Sequence, residues 1–325
     1  MKQRLTVLAC KVLHRARSES QRLVQWCYFR LYALPLLRMR GHVSAHARCA
    51  KGFGAFVVCD EATALKVAVS GASTIRKEYA NYQRVATKYP ALLEFFPNYV
   101  LVEEWGVAAL ACARLSPIAE TESLLCAVRL RTELNTASTS PGRLALSDCP
   151  EIRTGLVYVE ARMGAVVAGK LRTDVEQYLA TGDYNIALCH GDFHSRNIMC
   201  APGGGARLID FDCMRFPGIA EFDALYFSLE REWSLCSVHW SETLASCFRV
   251  PGKGVEVSLE AFGVVWSRGL GLAFLLDRIG QDWGGFGLHI SSEMLLRVVG
   301  MALNADQTGG EGESIDSRSG AVNEE

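Results

Sequence analysis

The chain has 325 residues, half of them apolar and 21% charged, with a formal net charge of −1. That composition suits one large domain or two modest ones and excludes a collagen, a low-complexity polymer or a disordered chain. The longest apolar stretch, Leu23–Leu37, has 15 residues and includes Arg30, too short and too charged to span a membrane.

Residues 1–40 read as helix, with apolar residues three or four apart and many arginines; Pro35 and Gly41 close the segment. The apolar run Leu5–Cys10 ends at Lys11, too early for a secretory signal. From about 43 to 115 the pattern turns to strands. His42–Cys49 alternates weakly; Phe53–Cys59 and Ala64–Val69 are β-rich runs around an Asp60–Glu61 turn. Ser73–Lys88 has helical spacing behind a Ser/Thr cap. Tyr99–Trp105 and Val107–Leu115 predict a hairpin about Gly106. Pro117 ends this sheet-rich part. Helices are expected over 118–135 and about 151–180, separated by the loop Thr136–Pro150. Ile186–His190 and Ala206–Phe211 read as adjacent short strands flanking the Gly-rich turn Pro202–Gly205. After 219 helices run to about 304, with breaks near Pro251–Gly254 and Gly284–Gly287. The Gly/Ser/acid-rich end, 305–325, reads as disordered.

Twelve cysteines are scattered with no C-x-x-C pair. That argues against a zinc ribbon or a redox motif, and for reduced, buried thiols in a cytoplasmic protein. Charge is segregated: residues 1–51 carry eleven Lys/Arg against Glu19 alone, and 305–325 carry six acids against one Arg.

The chemistry concentrates in His190-Gly-Asp192-Phe-His194-Ser-Arg196-Asn197 and Leu208-Ile-Asp210-Phe-Asp212. A phosphoryl-transfer site needs a carboxylate to take the acceptor's proton and a second carboxylate to hold Mg²⁺. A neutral oxygen such as that of Asn completes the metal shell. H-x-D-x4-N alone would arise by chance in about 4% of chains this long; the I-D-F-D strand end at that distance makes coincidence a poor account. A structural reading, a capped hydrogen-bonded turn, is the alternative for His190, Asp192 and Asn197. Upstream, Lys66 stands mid-strand in Ala-Leu-Lys-Val-Ala-Val, where an ammonium wants an anion. Glu78, twelve residues on in a helix, can orient it, with Glu103 and Glu104 as competitors. Gly52 and Gly54 precede Lys66 at a hairpin, where glycines let backbone N–H groups approach phosphates.

The order Gly-loop, Lys66, Glu78, H-G-D-x4-N and I-D-F-D resembles the protein-kinase-like superfamily. The H-G-D form, Asp212 in place of a Gly, and Phe222-Asp223-Ala224-Leu225 resemble its aminoglycoside phosphotransferase and choline kinase group. The resemblance covers roughly residues 43–300. It implies an α+β two-lobed fold: a small antiparallel sheet lobe with one helix, and a larger, mainly helical lobe. The corresponding divisions are a basic extension (1–41), a nucleotide-binding lobe (42–116), a catalytic and acceptor lobe (117–304) and an acidic tail (305–325), with a hinge near Arg114–Pro117. It makes ATP and Mg²⁺ the expected cofactors. Asp192 becomes the catalytic base, Asn197 and Asp210 the Mg²⁺ ligands, and Gly52, Gly54, Lys66 and Glu78 the ATP-binding set. His190 becomes a brace. Asp212 is open between a second metal contact and a cap; His194 and Arg196 are open between substrate contact and solvent.

The expected reaction is phosphorylation of a hydroxyl on a small molecule or sugar. The helical region after 230 offers no acceptor motif. Two readings stand for the basic arm: a helix packed on the sheet lobe, and residues 1–40 lying on an anionic membrane at its inner face. The second would favour an envelope-glycolipid sugar as acceptor, and the I-D-F-D end also resembles the lipopolysaccharide-sugar kinases. A pseudokinase scaffold is the rival outside catalysis. A protein kinase lacks its A-P-E segment here, and no module for nucleic acid is visible.

Overall fold

Phe29, Ala33, Leu34 and Leu37 recur at helical spacing, and in the computed structural model all four are buried in one core. The structure describes residues 23–51, 55–68, 73–281 and 292–308. The loop glycines Gly52 and Gly54, the start of the basic arm, the break near Gly284–Gly287 and residues 309–325 lie outside them. The described residues fall into two compact units: Met1–Ser140 with Ala187–Asp223, and Pro141–Ile186 with Ala224–Glu325.

The first unit opens with helix α1 (residues 23–28), a π-turn (Phe29–Ala33) and helix α2 (Leu34–Met39) in succession. Pro35 does not close the helix, as its sequence suggests. It stands in the first turn of α2, where a missing N–H costs least, and the π-turn absorbs the irregularity. The chain leaves the helix at Gly41, whose φ is +74°.

Five antiparallel strands follow: β1 (Arg48–Lys51), β2 (Ala55–Cys59), β3 (Thr63–Ala68), β4 (Val100–Glu104) and β5 (Val107–Ala113), in the order β1-β2-β3-β5-β4. Helix α3 (Ser73–Lys88) lies between β3 and β4 in the chain. Strand alternation sorts the side chains. Phe56, Val58, Leu65, Val67, Val102, Val107 and Ala109 join Phe29, Ala33, Leu34, Leu36 and Leu37 in one core. Phe29 stacks on Phe56 with ring centroids 4.1 Å apart. Each fully buried Leu or Phe is worth about 1.5–3 kcal/mol, so the helix 23–39 is part of the sheet's own core. Of the two readings of the arm, the packed helix holds for these residues. Lys66, one position from Leu65 and Val67, points to the opposite face.

The rest of this unit holds β6 (Ser116–Pro117), α4 (Glu120–Ser138), β7 (Ile186–Cys189), β8 (Ile198–Cys200), β9 (Ala206–Leu208) and β10 (Arg215–Ile219). The turn Pro202–Gly205 joins β8 to β9, and β7 pairs with β10. The two motif strands are therefore not neighbours, contrary to the sequence reading. The second is also shorter: it stops at Leu208 because Asp210 adopts φ +71°, which no strand accommodates.

The second unit is helical. Gly164, with φ +91°, splits the expected helix over 151–180 into α5 (Pro150–Met163) and α6 (Ala165–Thr181). Helix α7 (Ala220–Cys236) is followed by α8 (Trp240–Cys247), α9 (Lys253–Ala261), α10 (Arg268–Gln281) and α11 (Ser292–Thr308). The helix of α11 reaches four residues into the stretch expected to be disordered. Among the described residues no helix is long and apolar enough to cross a membrane.

Candidate active site

Lys66 occupies the centre of β3 and is flanked by two carboxylates. Its Nζ lies 2.7 Å from Glu78 Oε2 and 2.5 Å from Asp210 Oδ1. Glu78, on the inward face of α3, is fully buried. The competing acids are engaged elsewhere, Glu103 with Arg76 and Glu104 with Arg40 and His42. Burial disfavours the Lys66 ammonium, but the Glu78 and Asp210 carboxylates outweigh it and drive its pKa up. Burial pushes the Glu78 carboxyl up to about 7, against the pull of Lys66.

The H-G-D loop follows β7. His190 is buried, and its ring nitrogens take opposite roles: Nε2 donates to the Ile209 carbonyl at 2.8 Å, and Nδ1 accepts from the Asp192 amide at 3.3 Å. It ties the loop to the segment leading into Asp210. Gly191 has φ +82°, and a Cβ there would meet the carbonyl of Cys213. The site cannot take the Arg that H-R-D sequences carry, so the H-G-D spelling has a steric cause.

Asn197 Nδ2 donates to the Asp192 carbonyl at 2.8 Å and to Asp192 Oδ2 at 3.1 Å. These bonds commit the amide nitrogen and leave Oδ1 as the atom a cation can use. His194 Nε2 approaches Asp192 Oδ2 at 3.4 Å. The His194 ring therefore faces the Asp192 carboxylate.

Asp210 is held in a left-handed conformation by its surroundings. The next residue, Phe211, is fully buried and meets Phe96, Tyr99 and His190 edge-on. Asn81, on α3, donates to the Phe211 carbonyl at 2.6 Å, and the Asp210 amide reaches the Tyr99 hydroxyl. Burial, and then the nearby Asp210 charge, raise the Asp212 carboxyl.

Asp223 holds the other side of the loop. Its carboxylate accepts from the amides of His190 and Gly191 and from Arg131 Nη1 at 2.6 Å. Arg131, on α4, also donates to the Leu188 carbonyl at 2.8 Å. Sequence reasoning noted Asp223 within a motif and had no signal for Arg131 or Asn81.

Among the described residues no three His, Cys, Asp or Glu side chains converge as a metal centre by themselves. Mg²⁺ takes one or two protein carboxylates and fills its octahedron with phosphate oxygens and water. Asp210, the Oδ1 of Asn197 and the crowded Asp212 are a suitable donor set, since a divalent charge relieves the repulsion that raises Asp212.

The sequence profile of the Phosphotransferase enzyme family matches residues 142–242, which include Asp192, Asn197, Asp210 and Asp223. No curated protein matches the sequence. Among solved structures, choline kinase LicA from Streptococcus pneumoniae is similar with a TM-score of 0.52 at 14% identity, over 86% of this chain and 99% of its own. A thermostable mutant of aminoglycoside phosphotransferase APH(4)-Ia, in a ternary complex with ADP and hygromycin B, gives 0.51 at 13%, over 84% and 97%. The GDP and kanamycin complex of APH(2")-IIia gives 0.51 at 12%, over 86% and 99%. These likenesses carry the fold, and the profile match falls on the segment with the H-G-D loop and the I-D-F-D end. Residues 142–242 thus match the phosphotransferase family, and the fold is similar to that of the aminoglycoside phosphotransferases and choline kinase.

Proposed function

We propose that the protein transfers the γ-phosphoryl group of ATP to a hydroxyl of a small molecule or sugar, in a Mg²⁺-dependent reaction. The observation that supports this most is Lys66 held between Glu78 and Asp210, in the same unit as the bonded pair Asp192–Asn197. In this reading residues 42–116 serve the nucleotide and residues 117–304 the chemistry and the acceptor.

Asp192 is the base. Its carboxylate orients the acceptor hydroxyl and takes the proton as the new O–P bond forms and the bond from the γ-phosphorus to ADP breaks. Lys66 holds the phosphates, and Glu78 fixes the direction of its ammonium. The amides of Gly52 and Gly54 offer further N–H donors to the phosphates. Asn197 and Asp210 would hold Mg²⁺, which would supply charge neutralisation to the phosphates. Catalysis is then mostly positioning and electrostatic stabilisation. Two of the similar structures hold a nucleotide together with a small molecule, ADP with hygromycin B and GDP with kanamycin, which supports a nucleotide-dependent small-molecule reaction.

The test is ADP release with Mg·ATP across aminoglycosides, amino alcohols of the choline type, free sugars and envelope-glycolipid extracts. One acceptor class should stimulate release, and Asp192→Asn should abolish the stimulation. A flat panel with intact ATP binding favours the scaffold reading instead.

A further inference from the structure

We propose that the outer face of the helix 23–39, with the adjoining turn at Trp105, docks the protein on an anionic lipid bilayer. This goes beyond phosphoryl transfer and does not depend on it.

The inner face of this helix is fully used by the sheet core, through Phe29, Ala33, Leu34, Leu36 and Leu37. The outer face carries exposed apolar side chains, and among the described residues it is joined only by the turn at Trp105. Val24 is 68% exposed, Leu31 78% and Trp105 73%, and Leu23, Trp26 and Tyr32 are exposed beside them. The Tyr32 hydroxyl donates to the Trp105 carbonyl at 2.7 Å, so the hairpin turn and the helix form one continuous surface. The packing that fixes the inner face also holds this surface rigid, so its side chains are displayed without an ordering cost.

The charge around the patch names the occupant. The helix carries Arg30, Arg38 and Arg40 with no Asp or Glu among residues 23–51; of the acids beside Trp105, Glu104 is paired with Arg40 and His42, and Glu103 with Arg76. Arg30 lies over the Trp26 ring, 5.6 Å from its centroid. Among the described residues Arg30 forms no ion pair. Exposed Trp, Tyr and Leu interleaved with arginine suit the headgroup boundary of an anionic bilayer: rings enter the interface and guanidinium groups meet lipid phosphates. A second copy of the chain fits worse, because a symmetric contact would oppose two sets of like charges.

The experiment is co-sedimentation of the full-length protein with vesicles of phosphatidylcholine, with and without phosphatidylglycerol, at low and high salt. Binding should require phosphatidylglycerol and weaken as salt rises. Removing the whole segment would strip the sheet core, so point variants are needed. Arg30→Ala should lower partitioning about fivefold. Leu31→Ser should lower it at every salt concentration. Both side chains are exposed, so thermal unfolding should stay at the wild-type temperature. The proposal is overturned if the wild type ignores anionic vesicles at low salt, or binds both compositions equally. It is also overturned if both variants bind as wild type, or if a solution dimer dissociated by Leu31→Ser assigns the face to a second copy.

Discussion

Asp223 accepts the backbone N–H of His190 at 2.8 Å through one carboxylate oxygen, the oxygen that also receives Arg131. Both side chains of the ion pair are nearly inaccessible to water. A buried pair is costly to break, because the survivor stays desolvated with its charge uncompensated. Asp223→Ala would leave Arg131 without its carboxylate and the amides of His190 and Gly191 without an acceptor. The expected loss is about 3–5 kcal/mol of unfolding free energy, read from urea denaturation. Arg131→Lys should cost less, since an ammonium keeps the charge but cannot fork between Asp223 and the Leu188 carbonyl.

Gly191 carries the neighbouring constraint. A left-handed backbone costs a non-glycine residue about 1–2 kcal/mol, and here the added Cβ also meets the Cys213 carbonyl. Gly191→Ala should therefore destabilise by at least that amount in urea. It should also displace Asp192. Turnover should fall by a larger factor than nucleotide affinity, which steady-state kinetics and nucleotide titration separate.

The two carboxylates of the site should fail differently when neutralised. With Asp192 as the proposed base, Asp192→Asn should drop turnover by about 10²-fold or more while Mg·ATP still binds. Asp210→Asn removes the charge of one of Lys66's two partners and, on the proposed role, a metal ligand, so Mg·ATP affinity itself should fall. Calorimetric titration distinguishes them. Equal Mg·ATP affinity in the Asp210 variant and the wild type would remove Asp210 from the metal shell.

Much of this site was legible because its signals are local. The H-G-D-x4-N spacing, the lysine mid-strand and the glutamate twelve residues on need only strand and helix periodicity, and α3 runs over the residues its pattern predicts. The contacts that fix the site were not legible. Asn81 reaches a backbone carbonyl 130 residues away, and Arg131 one 57 residues away. A carbonyl acceptor has no residue type, so such bonds leave no pairing pattern. The exchange of strand partners among β7 to β10 escaped for a related reason. Strands of three to five residues carry too few side chains to specify a neighbour. Pro35 misled because the π-turn before it has no composition signal.

The turn at Asp60 gives a clean pH signature. Its carboxylate accepts the amides of Ser44, Ala62 and Thr63 at 2.8–3.0 Å. Those hydrogen bonds, led by that from Ser44, hold its carboxyl below the usual aspartate value. A folded-state pKa below the unfolded one stabilises the protein above the unfolded value, and the benefit is lost as pH falls through the folded one. Asp60→Asn should therefore melt below wild type at neutral pH. The gap should close as both are taken well below pH 4. A gap that stays constant with pH would mean that the turn is held by shape rather than by the carboxylate charge.

Two glycines in the helical unit should respond oppositely to the same substitution. In α6, a Cβ at Gly169 would meet nothing within 4 Å, so Gly169→Ala gains helix propensity and should stabilise by up to about 1 kcal/mol. In α10, a Cβ at Gly280 would run into the Glu151 carbonyl of α5, and the reciprocal position Gly155 faces the Leu276 carbonyl. The obstacle there is backbone on both sides, which cannot rotate away as a side chain can. Overpacking of this kind costs about 1–3 kcal/mol and should outweigh the propensity gain, so Gly280→Ala is expected to lower stability. Urea denaturation of both variants against wild type decides it. If Gly280→Ala were neutral, α5 and α10 would have to part at little cost, and their close approach would not be what sets the packing of this unit.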